Sequence, residues 1–140
     1  MDCQIRWLGD ETMSFVVETG SKHSFVIDSS PEGGGRNLGP RPMEVMLSGA
    51  ISCSAYDVVS YLKKNNQEVS SCVVSVTSQR RKEDPKVFKK IEIYFEIRGK
   101  NVDEKVVADA IRMTKEKSGS GYETMSYTAK IIDKYKVIKL

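Results

Sequence analysis

The sequence predicts an α+β fold in which antiparallel strands pack against helices, and three features predict it. The segment 87–99, VFKKIEIYFEIRG, alternates strictly, with Ile91, Ile93, Phe95 and Ile97 on one side and Lys90, Glu92, Tyr94, Glu96 and Arg98 on the other. That is the period of a strand with one buried face. Between Met46 and Leu62 the spacing changes: Met46, Leu47, Ala50, Ile51, Ala55, Val58, Val59 and Leu62 form a wide apolar stripe at helical period. The first third of the chain consists of short alternating runs separated by Gly-Asp and Gly-Ser pairs, which mark strands joined by turns.

Taken in order, CQIRWLG alternates through Cys3, Ile5 and Trp7, TMSFVVET through Met13, Phe15 and Val17, and HSFVID follows as a third strand. SSPEGGGRNLGPRP, residues 29–42, is a Gly- and Pro-rich loop. Its glycines match no phosphate-cradling pattern. A helix is expected from Pro42, a residue favoured at the first helical position, to about Asn65, where KKNN supplies positive charge and turn-formers. SSCVVSVTSQRR then leads through a hairpin at Glu83-Asp84-Pro85 into the return strand 87–99. A second helix is expected over Asp103–Lys117, broken by SGSG at 118–121, and YTAKIIDKYKVI closes the chain as a strand. The expected order is β-β-β-α-β-β-α-β, within a single domain covering 1–140.

Composition excludes several classes. The 140 residues carry a net charge of +3, too little to imply nucleic acid, and the basic run Arg80, Arg81, Lys82 sits beside Glu83 and Asp84 as a solvated hairpin tip. One histidine, His23, leaves no basis for a His-rich metal site, and no cofactor is expected. The first residues lack a basic segment followed by an apolar run, and the apolar stretch around Ala50 to Val59 is interrupted by Ser52, Ser54 and Asp57. Neither a secretion signal nor a membrane span is expected. Cys3, Cys53 and Cys72 form an odd set with no close pairing, which suits reduced thiols in the cytoplasm. Cys3 and Cys72 are expected on strands facing a core. Cys53, in the helical run MLSGAISCSAYDVVSYL, is crowded by Gly49, Ala50, Ser52, Ser54 and Ala55, and Asp57 stands one turn on. It reads either as a buried core thiol or as a nucleophile.

RPMEVMLSGAISCSAYDVVSYLKK, the TSQRRKEDPKVFKKI hairpin and the VADAIRMTKEKS helix, in that order, resemble the OsmC/Ohr family of thiol peroxidases, and within it the YhfA-like branch. The resemblance implies an OsmC-like fold: antiparallel sheets packed around a long buried central helix, in an intertwined homodimer with active sites at the subunit interface. It implies that Cys53 attacks the O–O bond of an organic hydroperoxide and becomes a sulfenic acid, which a second cysteine resolves before a thiol reductant restores it.

Two positions depart from that pattern. Gly119 stands where the resolving cysteine is expected, so an external thiol is the implied resolver. In the hydroperoxidase branch a Glu directly after the Pro holds an activating Arg. Here Met43 follows Pro42 and Glu44 comes one residue later, turned by about 100° around the helix. Glu44, Arg36 and Arg41 are the candidates to complete the site, although an acid at the place of Glu44 more often serves the helix dipole. Cys72 lies beyond the helix end, and Cys53 to Asn65 alone spans about 18 Å, so a Cys53–Cys72 pairing needs the chain to fold back closely. Two readings follow. One is a thiol-dependent peroxidase acting on organic hydroperoxides. The other is a non-catalytic dimer of the same fold that binds a small apolar ligand or senses redox state. Neither involves nucleic acid or a membrane.

Overall fold

The computed structural model describes residues 1–140. The chain forms two compact units, Met1–Ser48 and Gly49–Leu140, whose boundary falls inside the longest helix.

The N-terminal unit is an antiparallel meander of β1 (Cys3–Trp7), β2 (Phe15–Thr19) and β3 (Ser24–Ile27), in that spatial order. Gly9 and Asp10 both take positive φ, 83° and 47°, at the β1–β2 turn, a conformation open to Gly and tolerated by Asp. Val17 is the one buried apolar side chain of this unit, while Ile5, Trp7, Leu8, Met13, Phe25 and Leu38 are exposed. Cys3 corrects an expectation: it lies on an edge strand whose five residues are all exposed, and faces no core.

The helix α1 (Pro42–Lys64) crosses the boundary. It closes where Asn66 adopts φ 56° and the Gln67 N–H returns to the Leu62 carbonyl at 3.0 Å, a left-handed stop that Asn accepts. The expected deep burial of this helix is not met within the chain. Only Ile51, Ser54, Val58 and Leu62 are buried, and Met46 and Tyr56 stand 52% and 75% exposed. By length and composition α1 is also apolar enough to cross a membrane, which the interruptions at Ser52, Ser54 and Asp57 led us not to expect. Core helices of globular proteins share that property.

The C-terminal unit holds β4 (Val69–Arg80), β5 (Phe88–Gly99), α2 (Glu104–Met113), α3 (Ser120–Ser126) and β6 (Lys130–Lys139). β5 is the central strand, and its inward residues Ile91, Ile93, Phe95 and Ile97 are at most 1% exposed. Val58 and Leu62 of α1, Val107 and Ala110 of α2, and Tyr122 and Met125 of α3 complete this core. β4 pairs with β5 antiparallel, but β6 pairs with β5 in parallel, with Ile91 opposite Ile131 and Ile93 opposite Asp133. The expectation of purely antiparallel sheets is corrected here. The α2–α3 segment is a crossover that carries the chain back to the starting end of β5, as a parallel pairing requires.

A second difference concerns 114–126. α2 begins at an N-cap, Asp103, whose carboxylate accepts the Lys105 N–H at 2.8 Å. The helical run continues past Lys117 and breaks at Gly119, as expected, but its last turn, Thr114–Ser118, is π-helical and a short further helix, α3, starts at Ser120. The glycines of SGSG serve packing as well as turning. The Gly119 N–H reaches back to Thr114 O at 2.8 Å, and Gly121 lies directly on α1, where a Cβ would sit 2.7 Å from Ala50 Cα.

Candidate active site

Cys53 is exposed on α1 and opens into a cleft of about 380 Å³ lined by Gly49, Ser52, Cys53, Tyr56, Asp57, Ser118 and Ser120. Helical spacing explains the near wall, because Gly49, Tyr56 and Asp57 lie four before, three after and four after Cys53 and so share its face. The far wall is the π-turn and the start of α3, brought close by the contact of Gly121 with Ala50. Nothing lies within 4 Å of where a Gly49 Cβ would stand, so this glycine leaves the cleft open. Asp57 is half-buried, and its carboxylate has neither an ion pair nor a hydrogen bond within the chain. No Lys or Arg lines the cleft.

At Gly119 a side chain would meet Thr114 O and come within 2.9 Å of Tyr122 Cβ. The position expected for a resolving thiol is thus filled by a residue that the turn itself needs small. Behind the turn, Lys115 places its ammonium 3.9 Å from the Asp133 carboxylate and 5.7 Å from the centre of the Tyr122 ring. Burial pushes the Asp133 carboxyl and the Tyr122 phenol above their ordinary values, and Lys115 opposes both shifts. Sequence reading missed this trio. Its signal was Asp133 occupying an inward position of β6, in register with Ile93.

Cys72 lines a separate cleft of about 470 Å³ with Ala55, Tyr56, Val59, Ser60 and Lys63. β4 therefore folds back along α1, as a Cys53–Cys72 pairing would need. It meets the helix around Val59, roughly 9 Å further along the axis than Cys53 at 1.5 Å per residue. A disulfide needs Cα atoms about 4.4–6.8 Å apart. Burial pushes the Cys72 thiol up, which disfavours its thiolate.

Arg36, Arg41 and Glu44 belong to another cluster, within the N-terminal unit. Asp28, 1% exposed, accepts backbone N–H groups from Ser29, Arg36 and Leu38 at 2.7, 3.1 and 2.9 Å and so gathers the Gly-rich loop around its carboxylate. These bonds, Leu38 foremost, outweigh burial and hold its carboxyl below the usual value. The Arg41 guanidinium donates to Gly39 O at 3.0 Å and Asn37 Oδ1 at 2.9 Å. Glu44 accepts the Arg41 backbone N–H at 2.9 Å, the reach-back of a capping box at the start of α1. The structure thus joins Arg41 to Glu44 and leaves the Arg36 side chain exposed. Asp28 had no sequence signal beyond an acid ending the third strand.

The family model for OsmC-like proteins matches residues 33–132, a span that includes α1 and both walls of the cleft. The chain belongs to the OsmC-like family. Across 138 residues, this OsmC-like chain is 34% identical to protein YhfA of Escherichia coli K12, covering 99% of this chain and 98% of that one. It superposes on a hypothetical protein of Aquifex aeolicus with a TM-score of 0.85 at 25% identity, over 99% and 96% of the two chains. The organic hydroperoxide resistance protein OhrB of Bacillus subtilis shares the fold at a TM-score of 0.61 and 15% identity, over 96% of each chain.

Proposed function

We propose that this OsmC-like protein is a Cys53-dependent thiol peroxidase that reduces organic hydroperoxides and relies on an external thiol as resolver. The observation that carries the reading is an exposed Cys53 in a cleft whose lining also includes Ser52, Ser118 and Ser120. A neighbour of this fold, OhrB, is an organic hydroperoxide resistance protein, which supports the substrate class. In the first step the Cys53 thiolate attacks one peroxide oxygen and the O–O bond breaks. The sulfur keeps that oxygen as a sulfenic acid, and the departing alkoxide takes a proton to become the alcohol. An external thiol then displaces water to form a mixed disulfide. A second thiol releases Cys53 and leaves as the oxidised disulfide.

The functional unit in this proposal is a homodimer in a reducing compartment such as the cytoplasm. α1 carries exposed Met46 and Tyr56, and the N-terminal unit exposes Ile5, Trp7, Leu8, Met13 and Phe25. Uncovered apolar side chains in this number support association with a second copy. Sedimentation at micromolar concentration is expected to give twice 15.7 kDa; a folded monomer would refute it.

A second reading, a binding or redox-sensing dimer without turnover, is favoured by one observation: the lining of the cleft includes no cation to support a thiolate. Incubation with cumene hydroperoxide and an external dithiol separates the two. Catalytic peroxide loss that vanishes in Cys53→Ser supports the peroxidase; stoichiometric oxidation without turnover supports the sensor.

A further inference from the structure

The π-turn Thr114–Ser118 ends at Ser118, which with Ser120 forms the far wall of the Cys53 cleft. Two of its side chains make ion pairs. Glu116 pairs with Arg112 at 3.4 Å and stays within the helical run, whereas Lys115 crosses to Asp133 on β6 at 3.9 Å. The Asp133 side chain is 11% exposed and stands in register with Ile93 of the central strand. The other ionisable groups facing this pair are Tyr122 from α3 and Glu116 from the turn. Tyr135 lies two residues along β6, on the side of the strand that carries Asp133. None of these is a cation, and Arg112 is taken up by Asp109 and Glu116. Lys115 is therefore what balances Asp133, and the pairing is complete within one chain.

We propose that Asp133 is a positioning residue of the Cys53 site: through Lys115 it ties the π-turn to β6, and a proton on Asp133 unties the turn and frees the far wall of the cleft. The inference rests on the proposed function only in taking the Cys53 cleft as the site that this wall serves. Burial raises the Asp133 carboxyl against the opposing pull of Lys115. Contact with the Tyr122 hydroxyl raises the Lys115 ammonium, so Asp133 is the member of the pair that titrates in acid. The tie is present above the raised Asp133 value and is lost as pH falls through it. Beyond Lys115 the turn closes on itself, with the Gly119 N–H on Thr114 O at 2.8 Å, so a change at Lys115 is carried to Ser118 and Ser120 through three or four residues of backbone.

A pH titration of the full-length, isotope-labelled protein by NMR tests this without any peroxide. The Asp133 carboxyl carbon and the Ser118, Gly119 and Ser120 amides are followed from about pH 8 to about pH 4, a range that spans ordinary and raised carboxyl values. The three amides are expected to step with the same midpoint as the carboxyl. Asp133→Asn should remove that step. Lys115→Met, which keeps the length of the side chain and removes its charge, should also remove it and should move the Asp133 midpoint upward, because the opposing cation is gone. Lys115→Arg should restore the step. The consequence at the thiol is read with dithiodipyridine, which reacts with thiols in acid as well as at neutrality, and the Cys53 adduct is resolved from Cys3 and Cys72 by peptide mapping. In the ratio of Asp133→Asn to wild type the Cys53 thiolate fraction cancels. That ratio should be close to one in acid and rise to roughly threefold at neutral pH, the size of effect that a partly exposed ion pair supports.

Amides of 118–120 that do not follow the Asp133 carboxyl, a step that survives Lys115→Met, or a Cys53 ratio that is flat with pH would each overturn the proposal. If Asp133→Asn does not fold, the shared midpoint in the wild type and its loss in Lys115→Met decide, with the Cys53 ratio taken on Lys115→Met instead. Failure of the peroxidase reading looks different: a wall that titrates with Asp133 in a protein that consumes no hydroperoxide.

Discussion

Replacing Gly121 with Ala tests the packing that builds the far wall of the Cys53 cleft. The added methyl would lie 2.7 Å from Ala50 Cα and 2.9 Å from its carbonyl carbon. Unstrained carbon contacts are at about 3.5–4.0 Å, so the two backbones must part by close to 1 Å. Overpacking of this kind costs about 1–3 kcal/mol, and both opposing surfaces here are backbone, which cannot turn aside as a flexible side chain would. Ala is better than Gly within a helix by up to about 1 kcal/mol, which offsets part of the cost. The net expectation is a loss of about 1–2 kcal/mol, or roughly 4–8 °C in Tm for a chain of this size. Urea and thermal unfolding measure it, and iodoacetamide alkylation of Cys53 should accelerate as the wall retreats. Gly49→Ala is the internal control, because its methyl meets nothing within 4 Å and replaces Gly in a helix interior, so stability should rise by about 0.5–1 kcal/mol. A Gly121→Ala protein as stable as wild type with unchanged alkylation would refute the contact as the organiser of the cleft.

Asp28→Asn should destabilise the protein at neutral pH, because the carboxylate that gathers three backbone donors is replaced by a half-donor amide. Its folded pKa is lowered, so its contribution is present above the unfolded value of about 3.9 and is lost as pH falls through the folded value. Urea titrations from pH 7 downward should therefore show the two proteins converging in acid. Asp133→Asn should behave oppositely. Burial outweighs Lys115 and raises the folded pKa, so the ionised carboxylate is a cost that grows as pH rises through and above about 4. The variant should gain on wild type between pH 4 and neutrality in the same titrations; a gain that shrinks as pH rises would reverse the sign of the argument. Gly119→Cys, which would restore a thiol at the missing position, should lower Tm by several degrees, since its Cβ collides with Thr114 O and crowds Tyr122. An unchanged Tm would mean the π-turn yields freely.

By itself the sequence determined the elements whose signal is local. The alternation from Phe88 to Gly99, the three N-terminal strands and the stripe beginning at Pro42 each carry their period within a few turns, and the observed bounds follow those patterns closely. The order of motifs around Cys53 was enough to name the family. What the tertiary structure alone decided depends on residues far apart in the chain. The parallel pairing of β6 was not legible, because alternation in KIIDKYKVI is the same for either strand direction. The SGSG segment read as a breaker because glycine lowers helix propensity, whereas the contact of Gly121 with Ala50 and the bond from Gly119 to Thr114 make it a wall of the cleft. That Arg41 and Glu44 hydrogen-bond to the Gly-rich loop and the helix start was likewise not legible from their positions in the sequence. The exposure of Cys53 was undecidable from its crowd of small neighbours, which suit a tight core and an open cleft equally. Side-chain size is encoded residue by residue, but the surface that meets it comes from a distant part of the chain.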